Sequence, residues 1–555
     1  ADNPGPNPDP VPDPEPIPET ILEPGPVVEP ASEPISTQER SQRGAGLISV
    51  AGDTITTRFA ERFRDRHESD RSHDTYINEY AQGSAYEIRL IDRPNSLEVQ
   101  IYSPQAPLSM VNLTYDHIIN PGFADPPQYQ SGGFMAKGSL DGPANDSTDQ
   151  LVDRLYFEIR YANDRPWSEV RNNREILTLE FTPRRELDGN FPQYYSDIFR
   201  YRAGQGGITL ERDDERYFSA GPTTNFAHGT PGFEFSQPYL GIDQPRLQAF
   251  TLGRELFRAS FLGDPLPGNG EHAIGADPGA AASACVSCHF QLGKAAPPDR
   301  GSEAQQGFIH DGNDLRVAPP LIGLGLLEAV DASTIEKLAR QSGGKVPDGR
   351  FGWKATEPTI RSQILKAFAL DMGVRNVNST FVDRMEEYIR GIGVPIRRHP
   401  AAHVSQQPNV GLRIPDTDTI TDPDILDGET AFLESACASC HVPALQTGDQ
   451  HPIAQFRNIT IRPFTDLLLW NMGPALCADR DEGSADRCEW RTAPLWGLRL
   501  QQQVSGHATF LHDGRATTLD EAIRLHGGDA QAARDAYADL SAARRINLLL
   551  YLMSL

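Results

Sequence analysis

Two strings in this chain share one spacing: Cys285-Val286-Ser287-Cys288-His289 and Cys437-Ala438-Ser439-Cys440-His441. Two cysteines one helical turn apart can add across the two vinyl groups of a single porphyrin, and the histidine that follows reaches the iron from one side. A lone C-x-x-C can also be a redox dithiol or half of a zinc site. Zinc would need further ligand pairs at matching spacing, and no other C-x-x-C occurs in the sequence. Two copies, each followed at once by histidine, imply two covalently bound haems c. One is held by Cys285, Cys288 and His289, the other by Cys437, Cys440 and His441. Two haems in one polypeptide imply electron chemistry.

Of the six cysteines, Cys477 and Cys488 remain. In an oxidising compartment they read as a disulfide, which across so short a loop contributes roughly 3 kcal/mol in the chain-entropy model. Two free thiols in an acidic loop are the alternative.

At 555 residues the chain is too long for one hydrophobic core, so it divides into domains. The formal charge of −25 repels phosphate backbones and anionic lipid, which excludes nucleic acid as a general partner. No apolar run approaches the roughly 20 residues that span a bilayer; Leu321–Leu327 and Leu548–Met553 are far too short. The start at Ala1-Asp2-Asn3 reads as a processed end left by a signal peptide. Attachment of haem by C-x-x-C-H takes place outside the cytoplasm. The expected location is the periplasm or the cell surface of a bacterium.

The elements that must position these strings fall in three stretches. Residues 1–45 alternate proline with acidic and small residues, as in Pro8-Asp9-Pro10-Val11-Pro12, and predict an extended linker. Residues 46–235 show period-two runs, namely Leu97, Val99 and Ile101; Leu155, Phe157, Ile159 and Tyr161; and Leu177, Leu179 and Phe181. With turn clusters at Asp141-Gly142-Pro143 and Asp188-Gly189-Asn190, they predict an antiparallel β-sandwich-like domain, whose role the sequence does not give. His67 and His73 sit among Arg and Asp, as a solvated charged face more than as a metal site. Residues 236–555 turn α-helical, hold every cysteine and leave room for a cytochrome c-like domain of two lobes, one haem in each. Near the end, Thr518 and Glu521 form a capping box ahead of Ala522-Ile523-Arg524-Leu525, and the final helix is expected over about Ala542 to Met553.

Three longer strings carry a resemblance. They are Ala318-Pro319-Pro320-Leu321-Ile322-Gly323-Leu324-Gly325, Glu489-Trp490-Arg491-Thr492-Ala493-Pro494-Leu495-Trp496-Gly497-Leu498, and Phe510-Leu511-His512-Asp513-Gly514-Arg515-Ala516. In these the chain resembles the di-haem oxidoreductase, or thiol-oxidoreductase-like, family, itself similar to di-haem cytochrome c peroxidases and methylamine-utilisation enzymes. The resemblance covers roughly Gln244 to Leu555. It implies a tryptophan between the haems followed ten residues later by a glutamine and then by a carboxylate near the peroxide site. Trp353, Gln363 and Asp371 stand at those places, with Asp371 two residues early and Asp in place of Glu. Read from the residues alone, Trp353 is equally a core aromatic, Gln363 an exposed helix residue and Asp371 a helix-terminal group. Calcium between the lobes is implied by analogy alone.

The second axial ligand of the His441 haem stays open. Related peroxidases place a methionine directly before His-Asp-Gly, and Leu511 cannot bind iron. His507 and His512 are nearest in sequence, with His512 the weaker candidate, and Met472 survives in Trp470-Asn471-Met472-Gly473, where relatives have His-Asp-Met-Gly. His310 and His526 read as structural. The expected activity is an oxidoreductase that activates hydrogen peroxide at the His289 haem and relays electrons through the His441 haem. It would exchange electrons with a small donor or acceptor protein or a small-molecule substrate. A plain electron carrier and a dioxygen-using di-haem oxygenase are the alternatives.

Overall fold

The computed structural model describes residues 44–62, 85–102, 108–118, 129–132, 154–162, 165–185, 199–209, 215–225, 234–259, 284–298, 307–311, 314–374, 377–400 and 420–555. The proline-rich stretch, His67, His73 and the two predicted turn clusters lie outside them.

The period-two runs form strands. β1 (Leu47–Ala51), β2 (Thr54–Arg62), β3 (Ala85–Arg93), β4 (Ser96–Tyr102), β5 (Leu108–Ile118), β6 (Tyr129–Gly132) and β7 (Arg154–Ile159) come first. β8 (Tyr161–Ala162) and β9 (Arg165–Pro166) make a small hairpin, and β10 (Ile176–Arg185), β11 (Phe199–Arg202) and β12 (Ile208–Thr209) follow. One sheet runs β1-β2-β3-β4-β7 and the other β12-β11-β10-β5-β6. Every pairing is antiparallel, as between Val99 and Phe157 or Leu177 and His117. Leu97, Val99 and Ile101 from one sheet and Leu177 and Leu179 from the other are fully buried in one cluster. Phe59 meets Phe199 across it with ring centroids 5.0 Å apart, so the sheets stack face to face. The Leu155–Tyr161 run is not one strand: β7 ends at Ile159 and Tyr161 starts the hairpin.

Helices take over from Gln244, with three two-stranded hairpins set among them. Tyr217, Ala220, Phe235, Tyr239 and Ile242 already pack with this helical part. The junction is close: the Ala60 amide donates to Ile242 O at 2.6 Å, and Gly241, at φ +80°, has the Gly46 nitrogen where a Cβ would sit.

Two helix pairs are built alike. In the first, Gln244–Arg258 packs on Ser379–Gly391; Gly253 lets the Arg384 carbonyl approach, and Phe250 and Phe257 meet Tyr388 at 4.8 and 5.4 Å. In the second, Pro423–Glu434 packs on Ala542–Leu552; Gly428 admits the Asn547 carbonyl, and Phe432 meets Tyr551 at 5.5 Å. Gly253 and Phe257, like Gly428 and Phe432, stand one turn apart on a helix that leads towards a C-x-x-C-H string. Each string lies against its own hydrophobic cluster, Cys285 and Val286 against one, Cys437 and Ala438 against another. The final helix ends at Leu552. Thr518 caps its helix by accepting from the Glu521 amide at 3.1 Å, while the Glu521 carboxylate turns to the Thr517 amide instead, so the expected box stays half closed.

Candidate functional site

Each C-x-x-C-H string is one tight turn. The His289 amide donates to Cys285 O and the His441 amide to Cys437 O, both at 3.0 Å. The four thiols are unpaired and half-buried. Burial pushes their pKa up, to about 12 for Cys285 and Cys440 and about 11 for Cys288 and Cys437. Among the described residues no group of three or more His, Cys, Asp or Glu is placed to hold a metal ion.

The two histidines are held in the same way. His289 Nδ1 donates to Pro319 O at 3.0 Å and His441 Nδ1 to Phe464 O at 2.9 Å. A proton fixed on Nδ1 leaves the Nε2 lone pair for a metal, and a carbonyl partner sets the ring orientation. Burial pushes both imidazoles down to about 4, so both are neutral at physiological pH. Phe257 stands 6.2 Å from the His289 ring, and Phe464 is 6.2 Å from Phe432. The paired helices therefore position the strings directly. Neutral, oriented imidazoles beside unpaired thiols fit covalent haem at both places.

Trp353 joins the two anchoring segments. Its Nε1 donates to Val317 O at 2.9 Å, two residues before the carbonyl that holds His289. Its own carbonyl accepts from the Arg491 amide at 3.1 Å, two residues before Ala493, whose backbone hydrogen-bonds His441. Arg491 Nε also reaches Gly352 O at 3.2 Å.

Gln363 and Asp371 belong to the helix Ile360–Leu370, which starts with a full capping box between Thr359 and Ser362. Ile360, Ile364 and Phe368 bury one face of this helix, and Asp371 stands at its C-terminal end. The Gln363 carboxamide oxygen is buried next to Gly352 without a hydrogen-bond partner among the described residues. Asp371 caps the far end and helps raise the pKa of Cys285 and Cys288. The helix thus runs from Trp353 to the first string.

The histidines separate by place. His507 Nδ1 faces Thr509 Oγ1 at 3.4 Å, Thr509 donates to Ala295 O, and His507 Nε2 is buried without a partner among the described residues. Burial and the nearby Lys294 lower its pKa. His507 therefore sits beside the segment that follows His289, and not beside His441. His512 stacks on Trp490 at 3.7 Å and 13°, and burial lowers its pKa strongly. The histidine whose charge His441 feels is His526. Its Nδ1 donates to Ala522 O at 2.8 Å, the same tautomer as His289 and His441, and burial lowers its pKa. Ile523, at the end of the same helix, shares a cluster with Cys437 and Ala438. Met472 is close by through the contact of its carbonyl with Gly527. His310 is in a β-hairpin, and its side chain lies outside the described residues.

Sequence reasoning read His526 as a structural histidine in the haem region. The Leu519–Arg524 helix carries it back in space. Two more groups were missed. Asp466 is buried, its amide donates to Cys440 O at 3.0 Å, and its carboxylate accepts from Trp470 Nε1 at 2.9 Å. Lys294 lies with Nζ 5.4 Å from the Trp353 ring centroid. The Cys477–Cys488 disulfide is formed.

The chain thus joins an antiparallel sandwich to a helical part that holds two alike C-x-x-C-H turns. Residues 341–555 match the family described as "Di-haem oxidoreductase, putative peroxidase". The match takes in Trp353, Gln363, Asp371 and the second string, and it begins after the first. No curated protein matches the chain. Among solved structures it is similar to hydrazine synthase of Kuenenia stuttgartiensis pressurised with xenon, at 14% identity and a TM-score of 0.30, over 56% of this chain and 87% of that one. No helix among the described residues is long and apolar enough to cross a membrane.

Proposed function

We propose that this chain is a di-haem c-type oxidoreductase that uses peroxide at the His289 site and exchanges electrons with a partner through the His441 site. The observation that carries this reading is Trp353, hydrogen-bonded by its indole to the segment that anchors His289 and by its carbonyl to the segment that leads to His441. Bound at the two strings, haem would supply one-electron chemistry and, on the His289 side, a coordination position open to peroxide. The rest falls to the chain. His289 and His441 bind as neutral imidazoles, oriented by Pro319 O and Phe464 O. Gln363 offers an unpaired carboxamide oxygen to a small hydroxylic ligand. Asp371, at the helix end beside Cys285 and Cys288, serves proton movement. Trp353 passes electrons one at a time between the two segments.

His526, in place of His507 or His512, is the further imidazole that would help hold a haem at the His441 site, with Met472 the nearer alternative to them. Two imidazoles would give that site a lower potential than His/Met ligation. A small redox protein as partner and a periplasmic or cell-surface location accord with this chemistry.

Carbon monoxide titration of the reduced protein tests the reading. One molecule bound per two haems is expected. Zero bound would leave a pure electron carrier.

A further inference from the structure

Lys294 is buried, yet its ammonium is directed to one place. Nζ donates to the carbonyl of Leu511 and stands 5.4 Å from the Trp353 ring centroid, within the range at which a cation feels an indole. Leu511 is held at φ +66°, a left-handed conformation that a leucine adopts at a cost. Its carbonyl faces Lys294. Asp513, His507 and His512 are the titratable groups that share the pocket. None of them is hydrogen-bonded to Nζ in the contacts above.

We propose that Lys294 governs how readily Trp353 gives up an electron. The inference rests on Trp353 being the relay. Passage is balanced: Trp353 loses one electron to the site oxidised by hydrogen peroxide and regains one from the other site. The indole N–H keeps its proton, because its partner, Val317 O, is a carbonyl and not a base. The intermediate form of the ring is therefore positively charged, and below about pH 7, to which burial pushes the Lys294 pKa, the ammonium is a second positive charge at 5.4 Å that opposes it. Lys294 keeps Trp353 a brief carrier and prevents a lasting radical. With an effective dielectric near 20, a unit charge at this range moves an oxidation equilibrium by about 100-fold, and about half of that in the exponent, roughly 10-fold, reaches the rate. Lys294 is a positioning residue in this scheme, since it acts through Trp353.

The test uses the full chain with both haems, given one equivalent of hydrogen peroxide and freeze-quenched for electron paramagnetic resonance. Lys294→Gln keeps a donor for Leu511 O and removes the charge; it is expected to raise the tryptophan-radical signal and to speed electron redistribution by about 10-fold. Lys294→Arg, which restores the charge, is expected to return both to wild-type values. Lys294→Met removes the charge without a polar replacement and is expected to shift both as Lys294→Gln does, which keeps the proposal testable should Lys294→Gln fail to fold. Wild-type behaviour of Lys294→Gln, or Lys294→Arg behaving like it, would overturn the role of the charge. Trp353→Phe separates the two failures: redistribution at the wild-type rate in that variant would remove the relay itself.

Discussion

Replacing Lys354 with methionine asks whether the hairpin that clasps Trp353 is held by a buried cation. Lys354 is only 2% exposed. Its Nζ donates to the carbonyls of Asp486 at 3.1 Å, Arg487 at 2.8 Å and Glu489 at 2.6 Å. It also stands 3.7 Å from the centroid of Trp490, the ring on which His512 stacks. These carbonyls belong to the turn and strand that lead into Arg491, whose amide holds Trp353 O. Charge-assisted bonds at roughly 1.5 kcal/mol each, with a cation–π contact of about 1 kcal/mol, amount to ~5 kcal/mol gross. Freeing an ammonium from a buried site offsets on the order of half of that. The net loss of about 2–3 kcal/mol should lower Tm by roughly 5–10 °C in a unit of this size. Thermal unfolding of the holoprotein, followed by near-ultraviolet circular dichroism, measures it, with Lys354→Arg as the variant that recovers most of the loss. A Lys354→Met protein melting within about 1 °C of wild type would refute the reasoning.

Reducing the Cys477–Cys488 bond, or replacing both with serine, opens a loop between residues 11 apart. It should cost roughly 2–3 kcal/mol, read as a drop in denaturation midpoint. Acid should destabilise the protein through its buried histidines. His512 and His526 have folded pKa values below the ordinary 6.5 because burial disfavours their charge. The unfolded chain therefore takes up protons that the folded one does not as pH falls below 6.5, so their stabilising contribution is complete above that pH and declines beneath it. A plot of Tm against pH should fall through this window, and His512→Gln should flatten it. At the second string, His526→Ala should convert a low-spin ferric signal to high-spin, while His507→Ala and His512→Gln leave it low-spin. A signal indifferent to His526 but lost in Met472→Ala would move the ligand to Met472.

The legible parts of the molecule were those written in local spacing. C-x-x-C-H marked both turns, and alternation at Leu97, Val99 and Ile101 or at Leu177 and Leu179 marked strands that are buried as expected. The repeated glycine and phenylalanine one turn apart, Gly253 with Phe257 and Gly428 with Phe432, was there to be read as a sign of two alike units, but Tyr388 and Tyr551, which complete them, come from distant helices. Asp92 shows the same limit. It is fully buried and accepts from Trp167 Nε1, Arg171 Nε, Tyr201 OH and the Gly204 amide, none of them near it in sequence. His526 shows this limit too, since the whole stretch from His441 through the Leu519–Arg524 helix stands between it and the string it approaches. Lys294 gave no signal, because a lysine in a loop reads as solvated until Leu511 and Trp353 are seen around it.

Electron paramagnetic resonance and visible spectra of the ferric protein, before and after one equivalent of hydrogen peroxide, bear on the central claim most directly. A high-spin signal from the His289 site that disappears within seconds of peroxide addition, beside a low-spin signal from the His441 site, is the predicted result. Two low-spin signals untouched by peroxide would contradict it.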